Sequence, residues 1–317
     1  MNVYLGEPRG FCAGVVRAVD VVKLALERHR RPVYVKHQIV HNPFVVKSLE
    51  DQGAITVDDV DEVPTGATVV FSAHGSPPED FERAAERGLK VIDATCPLVT
   101  KVHNEAQKYA RDGRKLVLVG HRGHQEVIGT MGQADMDLMA DDGSVDGPDW
   151  PADTPVTVLT QTTLSVDDTE RAIDHIRNRF DDVIVRNDLC YATTNRQATV
   201  KELSKLVEMV LVIGATNSSN CNRLREVAEA HGVSAHLING PDELDRSWLE
   251  GVENVGITSG ASTPESLVQA VVNAIDPTEV VKIEGAKEDV SFVLPPDLRD
   301  ARLTKQDSSG AVAVDAN

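Results

Sequence analysis

One setting for cysteine recurs three times along this chain, and that repeat constrains the fold more than any other feature. The stretches GEPRGFCAGVVRAVDVVKLAL, VIDATCPLVTKVHNEAQKYA and RNDLCYATTNRQATVKELSKLV share a layout. In each, an extended or turn segment ends at the cysteine and a helical pattern begins at once. Cys12, Cys96 and Cys190 lie 84 and 94 residues apart. A second element recurs 28 to 30 residues behind them, in VYVKHQIVHNPFVVKSL, KLVLVGHRGHQEVIGTM and MVLVIGATNSSNCNRLREVA. A third follows 62 to 72 residues behind, in TVVFSAHGSPPEDFERAA, VTVLTQTTLSVDDTERAI and NVGITSGASTPESLVQAV. Each of these six is a short apolar run, a polar cluster, then a helical pattern.

Alternating strands and helices imply parallel sheets with helices on their faces. Ligands in such sheets gather beyond the carboxyl ends of the strands, and every polar cluster here falls at one. The expected fold is therefore α/β, with three pseudo-repeated α/β units arranged as a trefoil around a central cavity. Its units divide as residues 1–96 with Cys12, 97–189 with Cys96 at the start, and 190–280 with Cys190. Residues 281–317 form a C-terminal extension that reads as disordered from about Thr304. In the middle unit, ADMDLMADDGSVDGPDWPADTP reads as a surface loop.

Charge narrows the partners. Lys and Arg number 32 against 50 Asp and Glu, a net charge of −18, so no basic stripe is at hand for nucleic acid or an acidic membrane. The N-terminus lacks a basic stretch followed by an apolar one, and apolar runs such as Met209–Ile213 are strand-length. The expected compartment is the cytoplasm, where dispersed cysteines serve as metal ligands, catalytic groups or buried thiols.

Helix N-termini stabilise negative charge, which favours thiolates at Cys12, Cys96 and Cys190 as metal ligands. An iron–sulfur cluster normally takes four thiolates; three would leave one iron open to a substrate. Two other readings stay open: a zinc site of three Cys and one His, and a non-catalytic phospholigand-binding protein with inert buried thiols. Cys221, in NSSNCNRL, breaks the pattern and reads as a spare small residue.

The six loops carry His41 and Asn42, His74, His124 and Glu126, Thr162 and Thr163, Ser218 with Ser219 and Asn220, and Ser262. Hydrogen-bonding groups at helix N-termini suit a phosphate or diphosphate. GHRGHQE lacks the i, i+4 spacing of a helical zinc pair. Glu126 is the one carboxylate among these loop residues, placed either to supply protons or simply to favour a helix dipole.

The motifs PRGFCAGVVRAV, VHNPFVV, FSAHG, DATCPLVTKVH, GHRGHQEVIGTMGQ, TQTTLSVDDT, CYATTNRQ, NSSNCNRL and TSGASTPE run in order from about residue 1 to 300. Together they closely resemble the 4-hydroxy-3-methylbut-2-enyl diphosphate reductase family, which performs the last step of the non-mevalonate isoprenoid pathway. The resemblance implies a reductive dehydroxylation to isopentenyl and dimethylallyl diphosphate. It implies a 4Fe–4S cluster on Cys12, Cys96 and Cys190, with an open iron. Diphosphate-binding groups fall on His41, His74, His124, Ser218, Ser219, Asn220 and Ser262, with Thr163 a further substrate-binding candidate. The proton relay falls on Glu126, helped by Thr162. By resemblance the electron donor is a ferredoxin or flavodoxin. Docking one on so acidic a chain calls for a local basic patch, for which Arg9, Arg17, Lys36 and Lys101 are candidates. Cys221 is the one departure noted, a stray thiol should the cluster oxidise.

Overall fold

Runs of three to six mostly Val, Ile, Leu and Thr residues make the strands, and polar or proline-started turns switch the chain into helices. In the computed structural model, which describes residues 1–140 and 148–299, β1 (Asn2–Gly6) leads to Cys12 and α1 (Ala13–Arg28). Then come β2 (Val33–Lys36), α2 (Pro43–Glu50), β3 (Ala54–Val57), β4 (Thr68–Phe71), α3 (Pro78–Glu86) and β5 (Lys90–Asp93). The second round runs α4 (Pro97–Arg111), β6 (Lys115–Val119), α5 (Gln125–Met131), β7 (Asp137–Met139), β8 (Val156–Thr160), α6 (Val166–Arg179) and β9 (Val183–Val185). The third is α7 (Tyr191–Leu203), β10 (Met209–Ile213), α8 (Ser219–Ala230), β11 (Ser234–Ile238), β12 (Asn254–Ser259), α9 (Glu265–Ile275) and β13 (Glu279–Ile283).

Three parallel sheets result, ordered β3-β2-β4-β5, β7-β6-β8-β9 and β11-β10-β12-β1-β13. Here β1 takes the place that β5 and β9 hold in their sheets, and all three strands run directly into a cysteine. The ring thereby closes, because the chain's first strand completes the third sheet, setting Val3 against Val255 and Leu5 against Ile257. A division at residue 96 puts residues 2–6 in the first unit; their pairing is with β12 and β13. Nor is the acidic segment after Ala134 all loop. Asp137–Met139 pairs in parallel with β6, and Met139 is buried, so a three-residue strand too short to show a period hides there. The tail from Thr304 lies outside the described residues.

Each cysteine stands where the chain crosses between sheets. Helix α1 buries Val15, Ala18, Val19, Val22, Ala25 and Leu26, an i, i+3/i+4 stripe, against β2 and β4 of the first sheet, whereas β1 sits in the third. Burying such a Val or Leu stabilises by roughly 1.5–3 kcal/mol, so this stripe fixes the helix firmly. Helix α4 likewise packs on β6 and β8 after a strand of the first sheet, and α7 on β1 and β12 after a strand of the second. Equivalent backbone bonds lock the three crossings: the N–H of Cys12 donates to Ala261 O (3.1 Å), of Cys96 to Ala73 O (3.0 Å), and of Cys190 to Thr162 O (3.0 Å). Among the described residues no helix is long and apolar enough to cross a membrane.

Candidate active site

Those crossings bring all three cysteines to one cavity. Its lining includes Cys12, Cys96, Cys190, His41, His74, His124, Glu126, Thr162, Thr163, Ser218, Ser219, Asn220 and Ser262. Of the residues singled out above for metal, substrate or proton chemistry, all but Asn42 are therefore drawn to one place. The Asn42 side chain accepts from Val45 N–H (3.2 Å) and caps α2. Valines and alanines close the rest, among them Val15, Val40, Val99, Ala73 and Ala192.

The cysteines head α1, α4 and α7 without making a cap hydrogen bond. Instead the first-turn N–H dipoles act on the sulfurs: Val15 and Gly14 on Cys12, Leu98 and Val99 on Cys96, Ala192 and Thr193 on Cys190. Burial outweighs them, raising the Cys12 thiol, and pushing Cys96 up to about 11 and Cys190 to about 12. Mutual repulsion adds to this, since Cys12 acts on Cys96 and both act on Cys190. Three close, dehydrated thiols become thiolates only beside strong positive charge. A Cβ on Gly14 would lie 2.8 Å from Cys96 Sγ and 3.8 Å from Cys12 Sγ, so this glycine keeps the space between two sulfurs open.

Among the described residues no three His, Cys, Asp or Glu side chains close on one point as a lone metal ion requires. A cluster with its own sulfides spans a wider triangle, and this donor set, with two N–H dipoles per sulfur, fits one. Cys221 is not among the residues lining the cavity: it is wholly buried on the inner face of α8, and a Cβ on Gly214 or Gly260 would stand 2.3 or 2.2 Å from its Sγ. It fills a slot between glycines.

Three imidazoles gather on another part of the wall. His41 stacks on His74 with centroids 4.1 Å apart, and His124 stands edge-on 5.2 Å from His41. Burial first, then repulsion from a neighbouring imidazole (His37 for His41, His41 for His74 and His124), drives His41 down to about 4, His124 to about 3 and His74 well below its ordinary value. All three are neutral at pH 7 in the absence of an anion. His124 Nδ1 accepts from Glu126 N–H (3.2 Å), which puts its proton on Nε2. Both ring nitrogens of His41, and both amide atoms of Asn220, are buried without a hydrogen-bond partner. Such groups are costly unless a ligand meets them, and an anion with many acceptor oxygens matches His N–H and amide N–H together.

Around this lie serines already engaged: Ser262 Oγ donates to His41 O (3.0 Å), Ser219 Oγ to Thr163 O (3.1 Å), and Ser218 Oγ accepts from Cys221 N–H (3.4 Å). These bonds cap α8 and tie loops of different units together.

Glu126 is fully buried in the first turn of α5. Its Oε1 accepts from Thr162 N–H (2.7 Å) and its Oε2 from the Thr162 hydroxyl (3.0 Å). Burial nonetheless pushes its carboxyl up to about 7, and the charge of Asp188 adds to the rise. Asp188 is the residue that sequence reasoning passed over: burial and Glu105 raise it, and Lys101 lies 3.3 Å away. Its only sequence signal is its place two residues before Cys190, in RNDLC.

A family model described as LytB protein matches residues 3–276. The chain belongs to the LytB family. A LytB relative from Zymomonas mobilis subsp. mobilis, named 4-hydroxy-3-methylbut-2-enyl diphosphate reductase, is 50% identical over 306 residues, covering 94% of this chain and 90% of its own length. A second, 4-hydroxy-3-methylbut-2-enyl diphosphate reductase 2 of Bradyrhizobium diazoefficiens, is 52% identical over 305 residues, covering 94% and 99%. Among solved structures, the E-1-hydroxy-2-methyl-but-2-enyl-4-diphosphate reductase of Plasmodium falciparum superposes with a TM-score of 0.91 at 36% identity, over 96% of this chain and 98% of that one. A further LytB structure, titled the terminal enzyme of the non-mevalonate pathway, gives 0.61 at 33% identity, over 87% and 99%. The parallel-sheet α/β architecture expected from the repeat is thus the family's own.

Proposed function

We propose that this LytB protein reduces 4-hydroxy-3-methylbut-2-enyl diphosphate to isopentenyl and dimethylallyl diphosphate. Two electrons and two protons enter; the allylic C–O bond breaks, its oxygen leaves as water, and a C–H bond forms. The observation that carries the reading is the meeting, in one cavity, of three half-buried thiols, unpartnered anion-accepting groups at His41 and Asn220, and a carboxyl protonated near neutral pH. The names and high identity of the relatives support the same substrate.

Cys12, Cys96 and Cys190 would hold a 4Fe–4S cluster. When bound, it supplies the electrons and one Lewis-acidic iron without a protein thiolate.

His41, His74 and His124, with Asn220, receive the diphosphate, while Ser218, Ser219 and Ser262 shape the loops that present them and Thr163 lines the wall. A bound polyanion reverses the repulsion among the imidazoles and draws protons onto them. Glu126 holds its proton at a carboxyl oxygen beside the Thr162 hydroxyl, which makes it the general acid for the departing hydroxyl. The apolar wall of valines and alanines keeps water from the allylic carbons. A small acidic carrier, ferredoxin or flavodoxin, delivers the electrons. All four cysteines are free thiols, as in a reducing cytoplasm.

Anaerobically purified protein, given reduced viologen and the allylic diphosphate, is expected to oxidise the dye only when substrate is present and to release both products. Dye oxidation without dependence on substrate, or none at all from brown, iron-loaded protein, contradicts the proposal.

A further inference from the structure

Thr95 and Pro97, the chain neighbours of Cys96, also line a second groove, apart from the cavity. Pro97, Lys101, Asn104 and Lys108 project into it at helical spacing along α4, whose other face buries Val99, Val102 and Ala106. The lining carries five cations, Arg17, Lys101, Lys108, Arg186 and Arg299, against two carboxylates, Asp93 and Glu105. On a chain of net charge −18 this is a local reversal of sign.

The five are not equally free. Arg186 and Lys101 lean on Glu105, at 2.5 and 3.9 Å. Arg17 instead donates to the carbonyls of Ala94 (3.1 Å), Thr95 (2.9 Å) and Val293 (2.8 Å), and Arg299 to Leu294 O (2.6 Å). The ammonium of Lys108 lies over the Tyr109 ring. Among the described residues these last three make no ion pair; they meet carbonyls or a ring, and Arg17 also feels the charge of Asp93. Beside them Val293 is 71% exposed, flanked by Pro295 and Pro296. Cations around an exposed apolar residue make a protein-docking surface rather than a small-anion pocket. Two other basic candidates fall away: Arg9 is spent on Glu7 and Glu265, and Lys36 is buried against Asp80.

We infer that this groove docks a small acidic protein that carries one electron at a time, and that electrons enter at its floor beside Cys96. The inference rests on the reductase reading, which requires two electrons from outside. Arg17 supports it twice: its charge attracts the carrier, and its grip on Ala94 and Thr95 holds rigid the segment that leads to the thiol.

The test is turnover by the holoenzyme with two reductants, a plant-type 2Fe–2S ferredoxin and reduced methyl viologen. In the double variant Lys108→Glu with Arg299→Glu, KM for ferredoxin is expected to rise about tenfold at low ionic strength, and the gap from wild type to close in high salt. Viologen-driven turnover stays unchanged. Lys108→Gln alone gives a smaller rise, and Lys205→Glu, an exposed reversal elsewhere, gives none. An unchanged ferredoxin KM with viologen turnover intact, or an equal rise in Lys205→Glu, overturns the docking face. Absence of viologen-driven turnover in wild type overturns the reductase reading instead.

Discussion

Glu126→Gln separates the chemistry of the site from its stability. The amide is isosteric: its oxygen still accepts from Thr162 N–H, and its NH₂ donates to the Thr162 hydroxyl, so the local geometry survives. What changes is the proton. The folded carboxyl keeps its proton up to about 7, against an ordinary value of 4.5. Between those values the folded state binds more protons than the unfolded one, so wild-type stability falls as pH rises and levels above about 7. At about 1.4 kcal/mol per pH unit, the buried charge costs on the order of 3 kcal/mol at pH 8.5 and below about 1 kcal/mol at pH 5. Glutamine carries no such cost. The variant should therefore resist urea better than wild type at pH 8.5, match it closely at pH 5, and turn over about 10²–10⁴ times more slowly with reduced viologen. Equal urea midpoints at pH 8.5, or undiminished turnover, would refute the reasoning.

Three further outcomes follow from the same geometry. Binding of inorganic diphosphate should take up protons and weaken as pH rises above about 4, because His41 and His124, lowered to about 4 and about 3, start neutral; calorimetry in buffers of different ionisation enthalpy reads this, and zero proton uptake argues against the imidazole cluster as the anion site. Asn220→Ala removes a buried amide with no partner, so the ligand-free protein should lose no stability while diphosphate affinity drops about tenfold or more, by titration. Gly14→Ala should leave the circular dichroism intact but cut the iron content, since the new methyl stands 2.8 Å from Cys96 Sγ; full iron loading would show that the sulfurs have room to move.

Much of this architecture was legible because the repeat has a physical cause. Each cysteine must lie at the carboxyl end of a strand and the start of a helix, and that pairing leaves a signature of apolar run, Cys, helical stripe. The three loops behind His41, His124 and Asn220 are visible in the same way. The signal failed where structure is non-local. That β1 closes the third sheet depends on its partners at residues 254–257 and 279–283, more than 240 residues away. The strand Asp137–Met139 is too short for periodicity, and its acidic surroundings imitate a loop. Asn42 looked like a site residue because an N-cap and a ligand group share their chemistry. Asp188 was missed since its burial beside Glu105 and Lys101 arises only when β9 and α4 come together. The groove along α4 was half seen: Arg17 and Lys101 line it, whereas Arg9 and Lys36 do not, and the folding that separates them is not visible in sequence alone.

Quantifying iron and acid-labile sulfide in anaerobically prepared protein, beside Cys→Ser variants at 12, 96, 190 and 221, probes the convergence of thiols most directly. The account predicts about four irons and four sulfides per chain in wild type, sharp loss at 12, 96 and 190, and none at 221. A single zinc without sulfide, or a cluster that survives serine at any of the first three positions and vanishes with Cys221, would contradict it.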